Sequence, residues 1–153
     1  MIKKSAYILV AALAIYGAFS ATRTVFAAES PAPVRLDRAK IAGLNLTAVG
    51  PDAYKDILVA GELKMRVATL FSGKELNISV FECTPAKTDH KTRPNDSDEF
   101  VLVQSGKLIL TEPNGTRQEF IAGDTLVLPK DYTGTWEMQG NYRELAITAK
   151  KSR

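Results

Sequence analysis

The feature that most restricts the fold of this chain is a series of short β-type segments separated by turn residues. The segments lie at 57–60, 65–71, 76–83, 100–104, 107–111, 117–121, 125–128, 134–138 and 143–149. Between two of them, Asn114-Gly115 favours the positive φ angles of a tight hairpin. No stretch after residue 52 has convincing helical periodicity. Short strands about ten residues apart predict an all-β sandwich or barrel.

Two of these segments are apolar on both faces, namely Phe-Val-Leu-Val at 100–103 and Leu-Val-Leu-Pro at 126–129. A strand with one face in water would alternate apolar and polar residues instead. We therefore expect the outer faces of these strands to be covered by a second sheet, by the N-terminal segment or by a partner subunit. The last of these makes a homodimer possible.

The N-terminus has the features of a secretory leader. Lys3 and Lys4 precede an apolar run at 6–19, and a Val-Phe-Ala triplet at 25–27 offers small residues for cleavage after Ala27. The run is shorter than the roughly 20 residues that span a bilayer. A signal peptide at 1–27 and a periplasmic or secreted protein are predicted; a leader retained as an anchor is the alternative.

The net charge of +3 belongs to this leader, which contains Lys3, Lys4 and Arg23 and no acidic residue. The remaining 17 basic and 17 acidic side chains cancel. The sequence after the leader thus predicts no nucleic-acid partner and no membrane partner after signal cleavage.

The chain after the leader divides into two parts. Residues 28–56 are predicted to be a tether and a lead-in segment, in which 36–51 fits a helical turn or an irregular strand equally well. Residues 57–149 form the predicted domain. Cys83 is the only cysteine, so an intramolecular disulfide is impossible, and we expect this thiol to be buried in a strand.

The spacing of several residues resembles a known family. Six residues separate Glu99 from Gly106, and five separate Gly123 from Pro129, which is similar to the two halves of the cupin motif. The resemblance continues in Phe-Glu-Cys-Thr-Pro at 81–85, Asp-Glu-Phe at 98–100, Ser-Gly-Lys-Leu-Ile-Leu-Thr at 105–111, Ala-Gly-Asp-Thr-Leu-Val-Leu-Pro-Lys at 122–130 and Gly-Thr-Trp-Glu at 134–137. Together these stretches resemble the small DUF861-type cupins grouped with the C-terminal domain of (S)-ureidoglycine aminohydrolase. The resemblance implies a double-stranded β-helix, or jelly-roll barrel.

The same resemblance raises the question of a metal, because many cupins hold Mn, Fe, Ni or Zn with three histidines and one glutamate. Arg93 and Asn95 occupy the first two histidine positions in one spacing variant, and Thr92 and Pro94 occupy them in the other. The third histidine position is Gly134, so Glu99 alone remains. No cofactor is predicted, and a divalent metal is only a weak alternative.

His90, the only histidine, lies nine residues before Glu99 in a polar stretch. We expect it to be a solvent-exposed loop residue. It and Glu99 are weak candidates for metal ligands, through a rearranged loop or with Asp96. The acidic side chains of this stretch include Asp89, Asp96, Asp98 and Glu99. The simpler interpretation is that these carboxylates are solvated and bind no cation.

The candidate ligand-binding residues are Glu99, Arg93, Tyr132, Trp136 and Arg143. Aromatic side chains at a barrel mouth stack on sugar rings or heterocycles. Each candidate also has a structural interpretation: Trp136 as a core residue, Glu99 as a salt-bridge partner of Arg93 or Arg143, and Tyr132 as a loop cap. Arg143 fits a basic residue that this branch of cupins tends to carry, or a structural ion pair.

Three functions remain open from the sequence. The first is a metal-free barrel that binds a small polar molecule, either a sugar or an organic acid. The second is a metal-dependent enzyme resembling ureidoglycine aminohydrolase, with Glu99 and either His90 or Asp96 as ligands. The third is a structural or interaction module whose barrel mouth is plugged by Trp136 and Met138. No Ser–His–Asp set can be assembled around the one histidine.

Overall fold

The structure, a computed structural model, describes residues 31–150. Its elements are α1 (Arg38–Ile41), β1 (Thr47–Ala48), β2 (Leu58–Gly61), β3 (Met65–Ser72), β4 (Leu76–Cys83), β5 (Ala86–Asp89), β6 (Glu99–Thr111), β7 (Arg117–Ile121), β8 (Thr125–Leu128) and β9 (Thr135–Ala149). The predicted signal peptide at 1–27 lies outside the described residues. Within them, no helix is long and apolar enough to cross a membrane.

Two long strands, β6 and β9, organise the sheet. They pair antiparallel with each other from Glu99↔Thr148 to Thr111↔Thr135. The first half of β9 also pairs with β5 and its second half with β4, while β6 pairs with β8 and then β7. β2 extends the sheet beyond β5, and β3 and β1 extend it beyond β4. This curled antiparallel sheet confirms the predicted all-β jelly-roll barrel.

The corner of the barrel lies where the sequence predicted two turns. Ser105-Gly106 and 139–141 do not reverse the chain but remain inside β6 and β9, whose register shifts there. Gly106 and Gly140 have φ angles of 72° and 69°. A Cβ on Gly106 would lie 2.6 Å from the carbonyl oxygen of Gln139. The glycines therefore bend two continuous strands at a place where their backbones approach closely.

The segment before β2 contains both structures that the sequence allowed. Asp37 caps α1 by accepting a hydrogen bond of 2.8 Å from the Ala39 amide, and β1 pairs with β3. The sheet therefore begins before residue 57. The predicted hairpin at Asn114-Gly115 is confirmed, since the Gly115 amide donates to the Glu112 carbonyl at 2.9 Å. β5 was not predicted, because Lys87 and Asp89 interrupt its apolar pattern.

The inner faces of the strands meet in one apolar core. Its buried members are Met65, Cys83, Ala86, Val101, Val103, Leu108, Leu110, Leu128, Met138 and Tyr142. Cys83 lies in β4 and is 2% exposed, which confirms the expectation for this thiol. Burial, with smaller contributions from Glu144 and Glu82, raises the pKa of Cys83 to about 12. The thiol is therefore a packing group at neutral pH.

The outer face of the sheet carries an ionic cluster. Glu82 lies between Arg66 and Arg143, and the Arg143 Nε donates to its carboxylate at 2.9 Å. Burial opposes ionisation of Glu82, but the two guanidinium groups outweigh it and lower its pKa. A Cβ on Gly43 would lie 2.7 Å from the Arg143 guanidinium, so the N-terminal segment covers this part of the outer face.

A second part of the outer face is apolar and only partly covered by residues 31–150. Val127 pairs with Phe100, Phe100 with Ile147, and Ile147 with Ile78. We call these four side chains the outer apolar row. Val127 is 64% exposed and Phe100 is 39% exposed, while Ile147 and Ile78 are half-buried. The predicted cover is therefore missing from Val127 and Phe100 within the described part of the chain.

Candidate functional site

One end of the barrel contains an open cavity of about 430 Å³. Its wall is formed by Tyr54, Ile57, Leu63, Met65, Phe81, Thr88, His90, Arg93, Pro94, Asn95, Asp96, Glu99, Trp136, Met138, Tyr142 and Glu144. The volume is in the range of small-molecule sites, and the wall combines aromatic side chains with a few ionisable ones. This cavity is the candidate site, and of the predicted ligand-binding residues it contains Glu99, Arg93 and Trp136.

The alternation of side chains along β9 places two pairs of residues in the cavity. Trp136 and Met138 point inward before the bend, and Tyr142 and Glu144 point inward after it. Trp136 and Met138 line the cavity without filling it. These two side chains therefore do not form the plugged barrel mouth that is expected of a purely structural module.

Glu144 is the most deeply buried carboxyl group of the site. It is 5% exposed, and the Tyr142 hydroxyl donates a hydrogen bond to it. Burial and the nearby Glu99 raise the pKa of Glu144 to about 8, although the Tyr142 hydrogen bond acts in the opposite direction. Burial and Glu144 also raise the pKa of Tyr142. At neutral pH this carboxyl group is therefore largely protonated.

Glu99 lies at the first position of β6 and is also directed into the cavity. Burial raises its pKa, a hydrogen bond with the Thr148 side chain lowers it in part, and the charge of Asp96 raises it further. The sequence left open a salt bridge to Arg93 or Arg143. Neither forms, because Arg143 pairs with Glu82 and Arg93 pairs with Asp56.

His90 does not lie in an exposed loop as predicted, but in the cavity wall. Its ring stacks on Trp136 with 4.9 Å between centroids and 27° between planes. Its Nε2 is 3.2 Å from the Thr88 hydroxyl, and its Nδ1 is 3.3 Å from the Arg93 carbonyl oxygen. The unpredicted strand β5 causes the difference, because it ends at Asp89 and directs the next residue inward. Burial and the charge of Arg93 lower the pKa of His90 despite opposing contributions, so the ring is neutral at pH 7.

Arg93 lies at the cavity edge, where contacts outside the barrel hold its guanidinium. Its Nη1 donates to the Ala53 carbonyl at 2.7 Å and lies 3.4 Å from Asp56. The guanidinium also lies 4.6 Å from the centre of the Tyr54 ring, a cation–π contact. Arg93 therefore ties the segment before β2 to the loop after β5.

Two predicted site residues lie away from the cavity wall. Arg143 lies between Tyr142 and Glu144 in sequence, and both of these side chains point inward. The Arg143 side chain therefore points outward, where it forms an ion pair with Glu82. Tyr132 is half-buried and packs against Gly134, and its hydroxyl has no hydrogen-bond partner among residues 31–150. Burial and Glu112 raise the pKa of Tyr132. Neither residue is among those that surround the cavity.

The sequence analysis missed Tyr142 and Glu144 as site residues. Their two-residue spacing places them on one face of the last strand, and this was the available signal. That face could not be assigned to the barrel interior because 139–141 was taken as a turn. With the bend inside β9, both residues continue the inward face of Trp136 and Met138.

The donor set does not fit a transition metal. His90 is the only imidazole in the cavity, and both its nitrogens lie within hydrogen-bond distance of other groups. Trp136 and Met138 occupy the part of β9 that faces the cavity. Neither side chain is a ligand of the kind that cupin metals take. Within residues 31–150, no three histidine, cysteine, aspartate or glutamate side chains are arranged to hold a metal ion.

The curled barrel with one open end has the fold of the cupins. Residues 72–144 match the family model of the EutQ-like cupin domain. This part of the chain is therefore similar to the EutQ-like cupin domains. No curated protein sequence matches it significantly.

Three solved structures illustrate the similarity. A DUF861-family protein of unknown function from Pseudomonas syringae pv. tomato is 24% identical, with a TM-score of 0.61; the match covers 74% of this chain and 46% of that one. The EutQ protein of Clostridium difficile is 14% identical, with a TM-score of 0.53, over 76% of this chain and 80% of that one. KdgF from Halomonas sp. is 12% identical, with a TM-score of 0.56, over 79% and 96%. At these identities the likeness establishes the fold alone, and this chain spans less than half of the Pseudomonas protein.

Proposed function

We propose that this protein is an exported cupin that binds a small polar molecule in its barrel cavity without a metal. The observation that carries the proposal is the open cavity of about 430 Å³, with aromatic side chains on its wall and the carboxyl groups of Glu99 and Glu144 inside. Aromatic faces with a few placed polar groups are the usual composition of a small-molecule site.

Of the two ligand classes considered, the geometry favours a sugar over an organic acid. An anionic ligand would bring a negative charge beside Asp96 and beside the carboxyl groups of Glu99 and Glu144, whose ionisation burial already disfavours. The Arg93 guanidinium, which could compensate it, is already engaged by Ala53 and Asp56. A hydroxyl-rich ring can instead exchange hydrogen bonds with the carboxyl groups and lie against the Trp136–His90 stack.

No observation favours the alternative of an enzyme resembling ureidoglycine aminohydrolase, because the cavity lacks a suitable set of metal ligands. The interaction-module alternative keeps one feature in its favour, which is the outer apolar row. We propose that this row forms the interface of a homodimer, in addition to the ligand-binding role of the cavity.

Calorimetric titration of the mature protein with matched monosaccharides and sugar acids tests the ligand proposal. We expect a neutral sugar to bind more tightly than its acid, and Trp136→Ala to weaken binding. Arg143→Gln, which alters a charged residue outside the cavity, is the control and should keep the affinity. Absence of binding by every compound would contradict the proposal, and a stoichiometric transition metal in the purified protein would contradict its metal-free part.

A further inference from the structure

We propose that the ligand of this cavity carries a protonated amino group that binds between Glu99 and Glu144. This inference rests on the proposed function, since it assumes that the cavity takes a small polar ring, and it adds the charge that the ring bears. An amino sugar is a ligand of this chemical class.

The two carboxyl groups have no cationic partner among the described residues. None of the ion pairs among residues 31–150 includes Glu99 or Glu144. Arg93 is the basic side chain of the cavity wall, and it is held at the edge by Asp56 and Ala53. His90, with its lowered pKa, supplies no positive charge at pH 7. The described wall therefore contains two carboxyl groups without an ion-pair partner and a guanidinium group that is already engaged elsewhere.

Both carboxyl groups also retain hydrogen-bonding capacity. A carboxylate has about four acceptor positions. Tyr142 donates one hydrogen bond to Glu144, and the Thr148 side chain supplies one to Glu99. An ammonium group has three donors and no acceptor, so it complements the oxygens of two carboxyl groups directed into one space. Its positive charge also favours ionisation of Glu144 when the ligand binds, which opposes the effect of burial. Hydrogen bonds between such charged groups are about twice as strong as neutral ones.

An aromatic surface surrounds the carboxyl groups. Tyr54, Phe81, Trp136 and Tyr142 all line the cavity. The faces of aromatic rings attract cations, and the attraction increases when water is excluded. The same faces pack against the C–H groups of a sugar ring. A ring with an ammonium substituent therefore gains both the cation–aromatic attraction and the packing of its C–H groups, whereas a neutral ring gains only the packing.

Titration calorimetry with glucosamine, glucose and glucuronate tests this inference on the unaltered protein, because the three rings differ mainly in charge. We expect glucosamine to bind at least about tenfold more tightly than glucose, as one or two charge-assisted hydrogen bonds predict. Glucuronate should bind more weakly than glucose. Equal affinities for glucosamine and glucose would overturn the amino-group inference but leave the proposed function intact. If none of the three binds, the proposed function fails as well.

Two isosteric variants identify the residues responsible. Glu99→Gln and Glu144→Gln should each reduce the preference for glucosamine over glucose by about tenfold, because the amide that replaces each carboxyl group cannot carry a negative charge. Glu137→Gln is the matched control, because Glu137 lies in the same strand as Glu144, between two cavity residues, and faces away from the cavity. Circular dichroism verifies folding, and if a variant does not fold, the ligand series decides alone. A full preference retained in both folded variants would overturn the assignment.

Discussion

The imidazole of His90 stacks on the indole of Trp136 at a centroid distance of 4.9 Å, in the wall of the barrel cavity. The two residues belong to different parts of the chain and come together because the His90 amide donates to the Gly134 carbonyl at 3.2 Å. This contact converts a residue in a polar stretch of sequence into part of the candidate site. It also provides a spectroscopic signal, since Trp136 is the only tryptophan.

Protonation of His90 should change the fluorescence of Trp136. Burial and Arg93 lower the pKa of His90 below its ordinary value, so we expect a midpoint below pH 6.5. A fluorescence titration from pH 8 to pH 4 measures it. His90→Gln should abolish the transition, and a midpoint at or above 6.5 in the parent protein would contradict the buried stack.

Glu144 should make the protein less stable as the pH rises. Its pKa is about 8 when folded, above that of an exposed glutamate, so the folded state binds the proton more tightly than the unfolded chain does. The resulting stabilisation is complete below about pH 4.3 and is lost as the pH rises towards 8. In Glu144→Gln this loss is absent. The free energy of unfolding of the variant, relative to the parent, should therefore increase by at least about 1 kcal/mol between pH 5 and pH 7.5.

Urea denaturation at these two pH values measures the difference. Glu137→Gln is again the control, because its carboxylate lies on the other face of the same strand. Parallel stability profiles for the parent and Glu144→Gln would show that this carboxyl group is not protonated in the folded state.

The outer ionic cluster should contribute to stability and not to ligand binding. Glu82→Gln removes the charge that accepts from Arg66 and Arg143, and we expect it to lower the free energy of unfolding by about 1–3 kcal/mol at pH 7. Because the pKa of Glu82 is lowered on folding, this contribution should disappear as the pH falls towards 3. Arg143→Gln should also destabilise the fold. Weaker binding of a ligand to folded Arg143→Gln would instead place that residue in the site.

The outer apolar row should control the oligomeric state. If it forms the interface of a homodimer, Val127→Glu introduces a charge at its most exposed position and should yield a monomer, measured by light scattering after size exclusion. Ile121, an exposed apolar side chain of β7 outside this row, supplies the control Ile121→Glu. A monomeric parent protein, or a dimer unaffected by Val127→Glu, would contradict the proposed interface.

Export should be accompanied by cleavage after Ala27. We expect the full chain with a C-terminal tag, expressed in a Gram-negative host, to appear in the periplasmic fraction with Ala28 at its N-terminus. Ala27→Glu places a charged residue at the cleavage position and should cause the precursor to accumulate. A cytoplasmic product with an intact N-terminus would refute export.

Much of the barrel could be predicted from the sequence because strand signals are local. Turn residues and β-type runs located most of β3, β4, β7 and β8, and the spacing around Glu99 indicated the family. The prediction was wrong where one local sequence pattern is compatible with two backbone structures. Ser105-Gly106 and Gly140 indicate positive φ angles, and these angles serve a bend inside a strand as well as a reversal.

The sequence by itself determined the all-β fold and the burial of Cys83, because strand and turn signals are local and a lone thiol favours burial. The resemblance to cupins made Glu99 a candidate site residue. Only the tertiary structure decided that His90 faces the cavity, that Arg143 faces away from it, and that Glu144 lies inside. These positions depend on the β5–β9 pairing and on the bend of β9, which join residues far apart in the chain. Because β9 continues through its bend, the alternation that directs Trp136 and Met138 inward also directs Glu144 inward, whereas a chain reversal at 139–141 would have broken this relation.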